Sequence, residues 1–285
     1  MTNLESIAPG LVRKDDGIWY GVEEQCISFP TEGYGRCLQI EEKSFWFAHR
    51  NECIAAAVRA HPPSGNGTIF DVGGGNGFVT QGLSAAGFDV VLVEPGLAGA
   101  RNARHRGIER VVCASLESAR FEAASLPACA LFDVLEHIEG DLEFLATIRN
   151  LLRPGGKLYI TVPAYPWLWS KDDELAGHCR RYRRRSLARL LSDAGFEVEF
   201  TSYFFRFTPL AILFLRTLPT MFGIAEDRIS DETVRRDHIA LGRRFARLLE
   251  PFLTSEVRRL SRGLPIRFGG SCLTVARRPV QSTDR

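Results

Sequence analysis

Residues 68–77, which read TIFDVGGGNG, constrain the fold of this chain more than any other stretch. An apolar run with the character of a strand ends at Asp71, and four glycines fill the turn before residues 78–83, which can begin a helix. Glycine permits a tight turn and lets a ligand approach the backbone without a side chain in the way. A helix N-terminus that faces the end of a strand favours polar or anionic groups. The stretch therefore predicts a strand–turn–helix unit of an α/β sheet, with a ligand bound beyond the strand ends.

The spacing of the glycines distinguishes between two kinds of nucleotide-binding turn. The chain does not match the dinucleotide fingerprint G-x-G-x-x-G. Its third glycine would fall on Phe78 when the count begins at Gly73, and on Thr80 when it begins at Gly75. A nicotinamide oxidoreductase is therefore the disfavoured alternative. The spacing instead resembles motif I of the class I S-adenosylmethionine-dependent methyltransferases, (D/E)-x-G-x-G-x-G. The resemblance implies that S-adenosylmethionine is held at Asp71, Gly73, Gly75 and Gly77.

The next strands supply further candidates for the cofactor site. Residues 88–93 form an apolar strand that ends at Glu94, and in such sheets an acid about 20 residues after the glycines takes the ribose hydroxyls. The alternative is a solvated acid that opens the turn at Pro95. Ser115 and Leu116 follow a short third strand, where this family lines the adenine, and Phe132 ends the fourth strand. We assign all of these residues to the cofactor site.

Strands and helices alternate along the chain, which predicts a Rossmann-like, doubly wound, mostly parallel α/β sheet of seven strands. The fourth to seventh strands are expected at 128–132, 157–162, 196–204 and 271–276. The predicted organisation is an N-terminal helical cap at 1–65, a cofactor-binding core at 66–204, a helical insertion between strands six and seven at 205–265, and the last strand and tail at 266–285.

Residues 40–60 of the cap predict one helix, and its aromatic cluster at 45–47 cannot face a single core. The segment resembles the E-x-x-H/S-F-W-F-x-x-R cap of bacterial small-molecule methyltransferases. The resemblance implies that Trp46 and Arg50 reach the pocket, with Arg50 pairing with the cofactor carboxylate. The alternative makes Trp46 a core residue and Arg50 a surface charge.

The segments FDVLEHI, LLRPGG and TVP resemble the same family, so the resemblance covers about 40–204 and the last strand. It implies O-methylation of a small hydroxyl-bearing acceptor, such as a sugar, a lipid-linked compound or a natural product. A hydroxyl acceptor needs a general base near the methyl group. We expect His178, His137 and Asp133 there, with His178 preferred as the base. N- or C-methylation and a non-catalytic cofactor-binding scaffold are the alternatives.

The acids and histidines of this region have two other interpretations. Asp133 and Glu136 have the spacing of a helix-capping box, and His137 is alternatively a packed residue below the site. Together with His178, the three residues also resemble the E-x-x-E-H … H metal set of small-RNA 2′-O-methyltransferases and ubiquinone-pathway O-methyltransferases, with Asp in place of the first Glu. A divalent cation there lowers the pKa of the acceptor oxygens. We do not favour metal dependence on the sequence alone.

Charge is distributed unevenly along the chain. Residues 180–285 hold 21 arginines, no lysine and 11 acidic residues, although the whole chain has a net charge of only +2. This indicates an acidic substrate, a phosphate-bearing lipid or a polyanion, and the alternative is a set of solvated arginine faces. The apolar segment 204–221 predicts a substrate lid, a homodimer surface or a peripheral membrane contact.

The sequence lacks the patterns typical of nucleic-acid base methylation and of secretion. The (D/N)-P-P-(Y/F) motif of base methylation does not follow the fourth strand, so nucleic acid is not favoured as a partner. Seven cysteines without a C-x-x-C pair, and an N-terminus without a signal pattern, predict a cytoplasmic protein.

Overall fold

The computed structural model describes residues 2–21, 34–35, 38, 40–42, 44–221 and 242–280. These residues form one nine-stranded sheet. Its strands are β1 (Val12–Arg13), β2 (Trp19–Tyr20), β3 (Ile69–Val72), β4 (Val90–Val93), β5 (Val111–Cys113), β6 (Leu126–Phe132), β7 (Leu152–Pro163), β8 (Glu197–Phe204) and β9 (Ser271–Arg277). The strand order is β1-β2-β5-β4-β3-β6-β7-β9-β8.

The sheet is mostly parallel, as the Rossmann-like prediction requires. The run from β2 through β5, β4, β3 and β6 to β7 is parallel throughout. Strand β9 lies antiparallel between β7 and β8, and β1 is antiparallel to β2. All seven predicted strands are present, but the predicted number is wrong. Strands β1 and β2 extend the sheet from within the predicted N-terminal helical cap. They were not predicted, because two-residue strands have no alternating pattern to reveal them.

Helices cover both faces of the sheet. They are α1 (Leu4–Ile7), α2 (Phe45–Ala60), α3 (Phe78–Ala85), α4 (Leu97–His105), α5 (Leu116–Ala119), α6 (Asp141–Leu151), α7 (Lys171–Leu175), α8 (Arg184–Asp193), α9 (Thr208–Ile212), α10 (Leu218–Met221) and α11 (Gly242–Ser261). Successive side chains of a strand point to opposite faces. Accordingly, Phe70 of β3 belongs to the core below α6 and α8, whereas Ile69 belongs to the core below α2 and α3.

The helical cap and insertion differ in detail from the prediction. The helix expected at 40–60 begins only at Phe45, because Ser44 is extended, with φ of −92° and ψ of 122°. In the insertion, a π-helical turn at Leu213–Thr217 joins α9 to α10, and α11 packs against α2. The intervening residues 222–241, which include part of the predicted helical segment, lie outside the described residues. Within the described ranges, no helix has both the length and the apolar character needed to cross a membrane.

Candidate active site

A cavity of about 270 Å³ opens where β3, β4 and β6 reach their carboxyl ends. Seven of the residues predicted to bind the cofactor line it, namely Arg50, Asp71, Gly73, Gly75, Glu94, Pro95 and Phe132. The glycine turn allows this, because Gly73 and Gly75 have φ of +72° and +56°. A Cβ added at Gly75 would meet no atom within 4 Å, so the turn presents bare backbone to the cavity. This is the close approach for which glycine is suited.

Glu94 connects the glycine turn to the end of β4. Its carboxylate accepts hydrogen bonds from Gly75 N at 2.8 Å, Gly96 N at 2.6 Å and Tyr34 Oη at 2.8 Å. Burial raises the pKa of Glu94, and the donated hydrogen bonds oppose that rise. A carboxylate has about four acceptor positions, so one remains for a ligand hydroxyl. Sequence analysis missed Tyr34, because it lies in a segment without a recognisable pattern.

Asp71 is fully buried beneath the turn. Thr80 Oγ1 donates a hydrogen bond of 2.6 Å to Asp71 Oδ2, and Oδ1 has no hydrogen-bond partner among the described residues. Burial raises the pKa of Asp71 to about 6. Gly74, which sequence analysis did not assign, is required by packing, since an added Cβ would lie 2.2 Å from Leu92 Cδ1 and 2.8 Å from Asp71 Oδ2.

Four other predicted cofactor residues do not line the cavity. Gly77 precedes α3 with φ of +76°, and a Cβ there would lie 2.2 Å from Ile108 Cδ1, so it serves packing. Trp46 stacks on Phe205, with ring centroids 3.6 Å apart. Ser115 accepts a hydrogen bond from the backbone of the short helix α5, and Leu116 is buried in the core.

Arg50 and Asp133 line the cavity and pair with each other. Arg50 Nη2 lies 2.7 Å from Asp133 Oδ2, so the partner of Arg50 in this structure is a side chain, where a cofactor carboxylate was expected. Thr161 Oγ1 donates a 2.9 Å hydrogen bond to Asp133 Oδ1. Asp133 has φ of +58°, in the left-handed region, and it caps no helix. The capping-box interpretation is therefore wrong.

His137 lies on the cavity wall, and His178 lies behind it. Their ring centroids are 4.8 Å apart. His137 Nδ1 is 3.2 Å from the carbonyl oxygen of Gly177, and His178 Nδ1 is 2.9 Å from Asp173 Oδ1. Burial lowers the pKa of His137, and the neighbouring His178 lowers it further.

Asp173 orients His178, and sequence analysis did not identify it. Arg181 Nε also binds Asp173 Oδ1, at 2.7 Å. Although burial raises the pKa of Asp173, the hydrogen bonds from His178 and Arg181 bring it down to about 2. Asp173 therefore stays ionised. The only available signal was its position in the acidic run KDDE, which the sequence alone does not place beside a histidine.

Glu136 is fully buried beside the two histidines. Neither carboxylate oxygen accepts a hydrogen bond from another residue that the structure describes. Burial and the nearby Asp133 charge raise the pKa of Glu136 well above its ordinary value. One ligand atom each from Glu136, His137 and His178 lies within 4.8 Å of the others. Asp133 is not part of this group, so the predicted four-residue metal set is reduced to three.

The sheet order, the alternate glycines and the acid after β4 define the class of protein. They are the features of a class I S-adenosylmethionine-dependent methyltransferase, with the cavity beyond the carboxyl ends of its parallel strands.

Comparison with known proteins identifies the family to which the chain belongs. A family model described as a methyltransferase domain matches residues 46–200, and the chain belongs to that family. It is 27% identical over 190 residues to a protein of Mycolicibacterium smegmatis named probable S-adenosylmethionine-dependent methyltransferase, covering 65% of this chain and 72% of that protein.

One further relative and one solved structure match over less of their length. The mitochondrial ubiquinone biosynthesis O-methyltransferase of mouse is 28% identical over 123 residues, which are 39% of this chain and 33% of that protein. The chain thus spans about a third of that relative. A structure of Haemonchus contortus phosphoethanolamine N-methyltransferase 2 with S-adenosyl-L-methionine has a TM-score of 0.52 at 19% identity, covering 88% of this chain and 57% of that one. At such identity the likeness concerns the fold alone.

Proposed function

We propose that this methyltransferase acts on the hydroxyl oxygen of a small acceptor, with His137 as the general base. The observation that carries the proposal is the position of His137 on the wall of the cavity that contains the glycine turn and Glu94. The partial match to an O-methyltransferase supports oxygen as the acceptor atom.

The residues around the glycine turn fit the expected cofactor. Gly73 and Gly75 expose backbone to the cavity, and Glu94 retains an acceptor position for a sugar hydroxyl. S-adenosylmethionine supplies an activated methyl group on a sulfonium. The protein therefore has mainly to position the acceptor and remove its proton.

His137 is better suited than His178 to accept that proton. A carbonyl oxygen only accepts hydrogen bonds, so the contact with Gly177 O places the proton of neutral His137 on Nδ1 and its lone pair on Nε2. The lowered pKa of His137 keeps the ring neutral near pH 7. His178 does not line the cavity, and its bond to Asp173 fixes its ring beside that of His137. We therefore propose His178 as a positioning residue, which reverses the order expected from the sequence.

Methylation by variants of the two histidines tests this assignment. The assay supplies S-adenosylmethionine with an isotopically labelled methyl group and matched sets of hydroxyl, amine and thiol acceptors, and NMR of the product identifies the methylated atom. We expect His137→Ala to lower kcat at least about a hundredfold, with S-adenosylhomocysteine affinity unchanged. His105→Ala, at an exposed position on α4, is the matched control.

Several outcomes would contradict the proposal. Full activity of His137→Ala would remove its role as base, and methylation of amines only would move the acceptor atom to nitrogen. Cofactor binding without turnover on any acceptor would favour a non-catalytic scaffold. Binding of NADH without binding of S-adenosylhomocysteine would overturn the cofactor assignment itself.

A second candidate function is a metal-assisted form of the same reaction. It is favoured by the buried carboxylate of Glu136, which has no hydrogen-bond partner among the described residues. A buried charge without a partner is costly unless it is neutralised or binds a cation. Glu136, His137 and His178 would hold a divalent metal, and mixed carboxylate and imidazole ligands suit zinc, iron, manganese or cobalt. Such an ion would act as a Lewis acid on the acceptor oxygen.

The metal content of the purified protein distinguishes the metal-assisted reaction from the metal-free one, and measuring it requires no activity assay. If a metal is bound, elemental analysis of the purified protein should find about one ion per chain, and Glu136→Gln should lose it. Asp172→Asn, at a half-buried acid on α7 that pairs with Arg216 outside this group, is the control. Full turnover in the presence of a chelator, together with no bound metal, would leave the metal-free mechanism.

A further inference from the structure

A second depression, of about 420 Å³, lies at the same edge of the sheet as the cofactor cavity. Its lining residues are arginines and aromatic residues, namely Tyr165, Trp167, Arg183, Arg184, Arg185, Tyr203 and Arg267. They come from separate segments, the loop after β7, the start of α8, the end of β8 and the loop before β9. None of these residues lines the cofactor cavity.

The four arginines of this depression have no acidic partner among the residues that the structure describes. Within the described part of the chain, none of their guanidinium groups forms an ion pair, whereas Arg50, Arg180 and Arg181 each pair with a carboxylate. Four like charges around one concave surface repel each other, and an anion would relieve that repulsion. The N-terminus of the ten-residue helix α8 adds further positive potential.

Aromatic side chains form the floor of the depression. Tyr165 stacks on Tyr203, with centroids 5.0 Å apart and planes inclined by 22°. Arg184 Cζ lies 5.5 Å from the centroid of the Tyr203 ring, and Arg184 N donates a 3.2 Å hydrogen bond to Tyr203 Oη. These contacts hold Arg184, which is half-buried, so this guanidinium is already oriented.

The alternative is a solvated arginine face on an amphipathic helix. Arg189 of α8 is an example, because its side chain is 85% exposed and lies 3.9 Å from Asp193 one turn later. Arg183, Arg184 and Arg185 are consecutive, so they cannot share one helix face. They converge with Arg267, which comes from a different segment. A solvated helix face does not explain this convergence.

We propose that this depression binds the phosphate or pyrophosphate group of a small ligand. Guanidinium groups match phosphate oxygens in pairs of parallel hydrogen bonds, and the aromatic floor suits the apolar or ring portion of the ligand. A volume of about 420 Å³ is within the range of small-molecule sites. The inference concerns binding alone and does not depend on the atom that is methylated.

Calorimetry with inorganic pyrophosphate tests the site directly. The variant Arg183→Gln/Arg267→Gln removes two exposed charges that form no ion pair with any residue that the structure describes. Each lost arginine contact should weaken binding roughly tenfold, so we expect about a hundredfold loss at low salt. Arg189→Gln, on the same helix but outside the depression, should bind like the wild type. Unchanged affinity for S-adenosylhomocysteine in all three proteins verifies the fold.

Vesicles identify the source of the phosphate. Saturable pyrophosphate binding that the double variant loses supports the site with a soluble phosphate ester as its ligand. Cosedimentation only with vesicles of equimolar phosphatidylcholine and phosphatidic acid, lost in the double variant, supports it with a lipid headgroup. The inference is overturned if neither probe binds, or if Arg189→Gln weakens binding as much as the double variant does. Preference for a single-stranded oligonucleotide over pyrophosphate would also overturn it.

Discussion

Asp71→Asn should change how the stability of this protein depends on pH. Asp71 is fully buried, and it receives one hydrogen bond, from Thr80 Oγ1. Because burial raises its pKa, folding penalises the ionised form of this acid. Asparagine has nearly the same shape and can still accept the bond from Thr80, but it carries no charge at any pH.

The sign and size of the effect follow from the two pKa values. The pKa of Asp71 rises from an ordinary value of 3.8 to about 6 in the folded protein. An acid with a raised pKa costs nothing while it is protonated in both states, and it destabilises the fold progressively as the pH climbs from 3.8 to about 6. The full penalty above that range is about 3 kcal/mol, at ~1.36 kcal/mol per pH unit. The asparagine variant escapes this penalty.

Denaturant unfolding of the cofactor-free protein over a range of pH measures this difference. The asparagine amide nitrogen would replace Asp71 Oδ1, which has no hydrogen-bond partner among the described residues, and the cost of burying it unpaired does not vary with pH. The test is therefore how the difference in unfolding free energy between the variant and the wild type changes with pH. Relative to wild type, the unfolding free energy of Asp71→Asn should rise by about 2.5 kcal/mol between about pH 4 and pH 7, because a small part of the penalty is already present at pH 4. Asp193→Asn, at an exposed acid on α8, should run parallel to wild type. A parallel curve for Asp71→Asn would refute the reasoning.

Three further substitutions test the placement of individual residues. Gly77→Ala adds a Cβ 2.2 Å from Ile108 Cδ1 at a φ of +76°, so the unfolding free energy should fall by roughly 2–4 kcal/mol, and an unchanged denaturation midpoint would contradict this. Trp46→Ala removes the ring stacked on Phe205, so stability should fall by about 2–3 kcal/mol while calorimetry shows the same affinity for S-adenosylhomocysteine. Weaker affinity without lost stability would instead place Trp46 in the cofactor site. Glu94→Gln replaces the acceptor of two backbone N–H groups, so S-adenosylhomocysteine should bind at least about tenfold more weakly, and equal affinity would exclude its role.

The parts of the fold that were predictable are those with a local pattern. Strands such as β4 and β6 are continuous apolar runs, which is how buried parallel strands read. The glycine turn after β3 identifies the cofactor edge of the sheet, because only a few backbone conformations can make such a turn. An acid at the end of β4 then falls beside the turn as a consequence of parallel pairing, and Glu94 does bond to Gly75.

What sequence analysis missed depends on contacts between distant segments. Tyr34 bonds to Glu94 across 60 residues, and neither residue carries a sign of the other. Trp46 is expected in the pocket because its segment resembles the family's cap, but its stacking partner is Phe205, 159 positions later, and it is Phe47 that lines the cavity. A contact between α2 and the turn after β8, which local periodicity does not encode, favours the core interpretation of Trp46.

The segment between β7 and α8, residues 164–183, contributes residues to both proposed sites. Arg181 bonds to Ala164 O at 3.2 Å and to Asp173 at 2.7 Å, and Asp173 holds His178 against His137. Tyr165, the next residue after Ala164, begins the aromatic floor of the arginine depression, and its own N–H bonds to the carbonyl of Tyr182. The same segment, which includes α7, therefore positions both the histidine beside the cofactor cavity and the aromatic floor of the second site. A change of backbone at residues 164–165 would therefore disturb both sites, because Ala164 O accepts the hydrogen bond from Arg181 and Tyr165 N donates one to Tyr182 O.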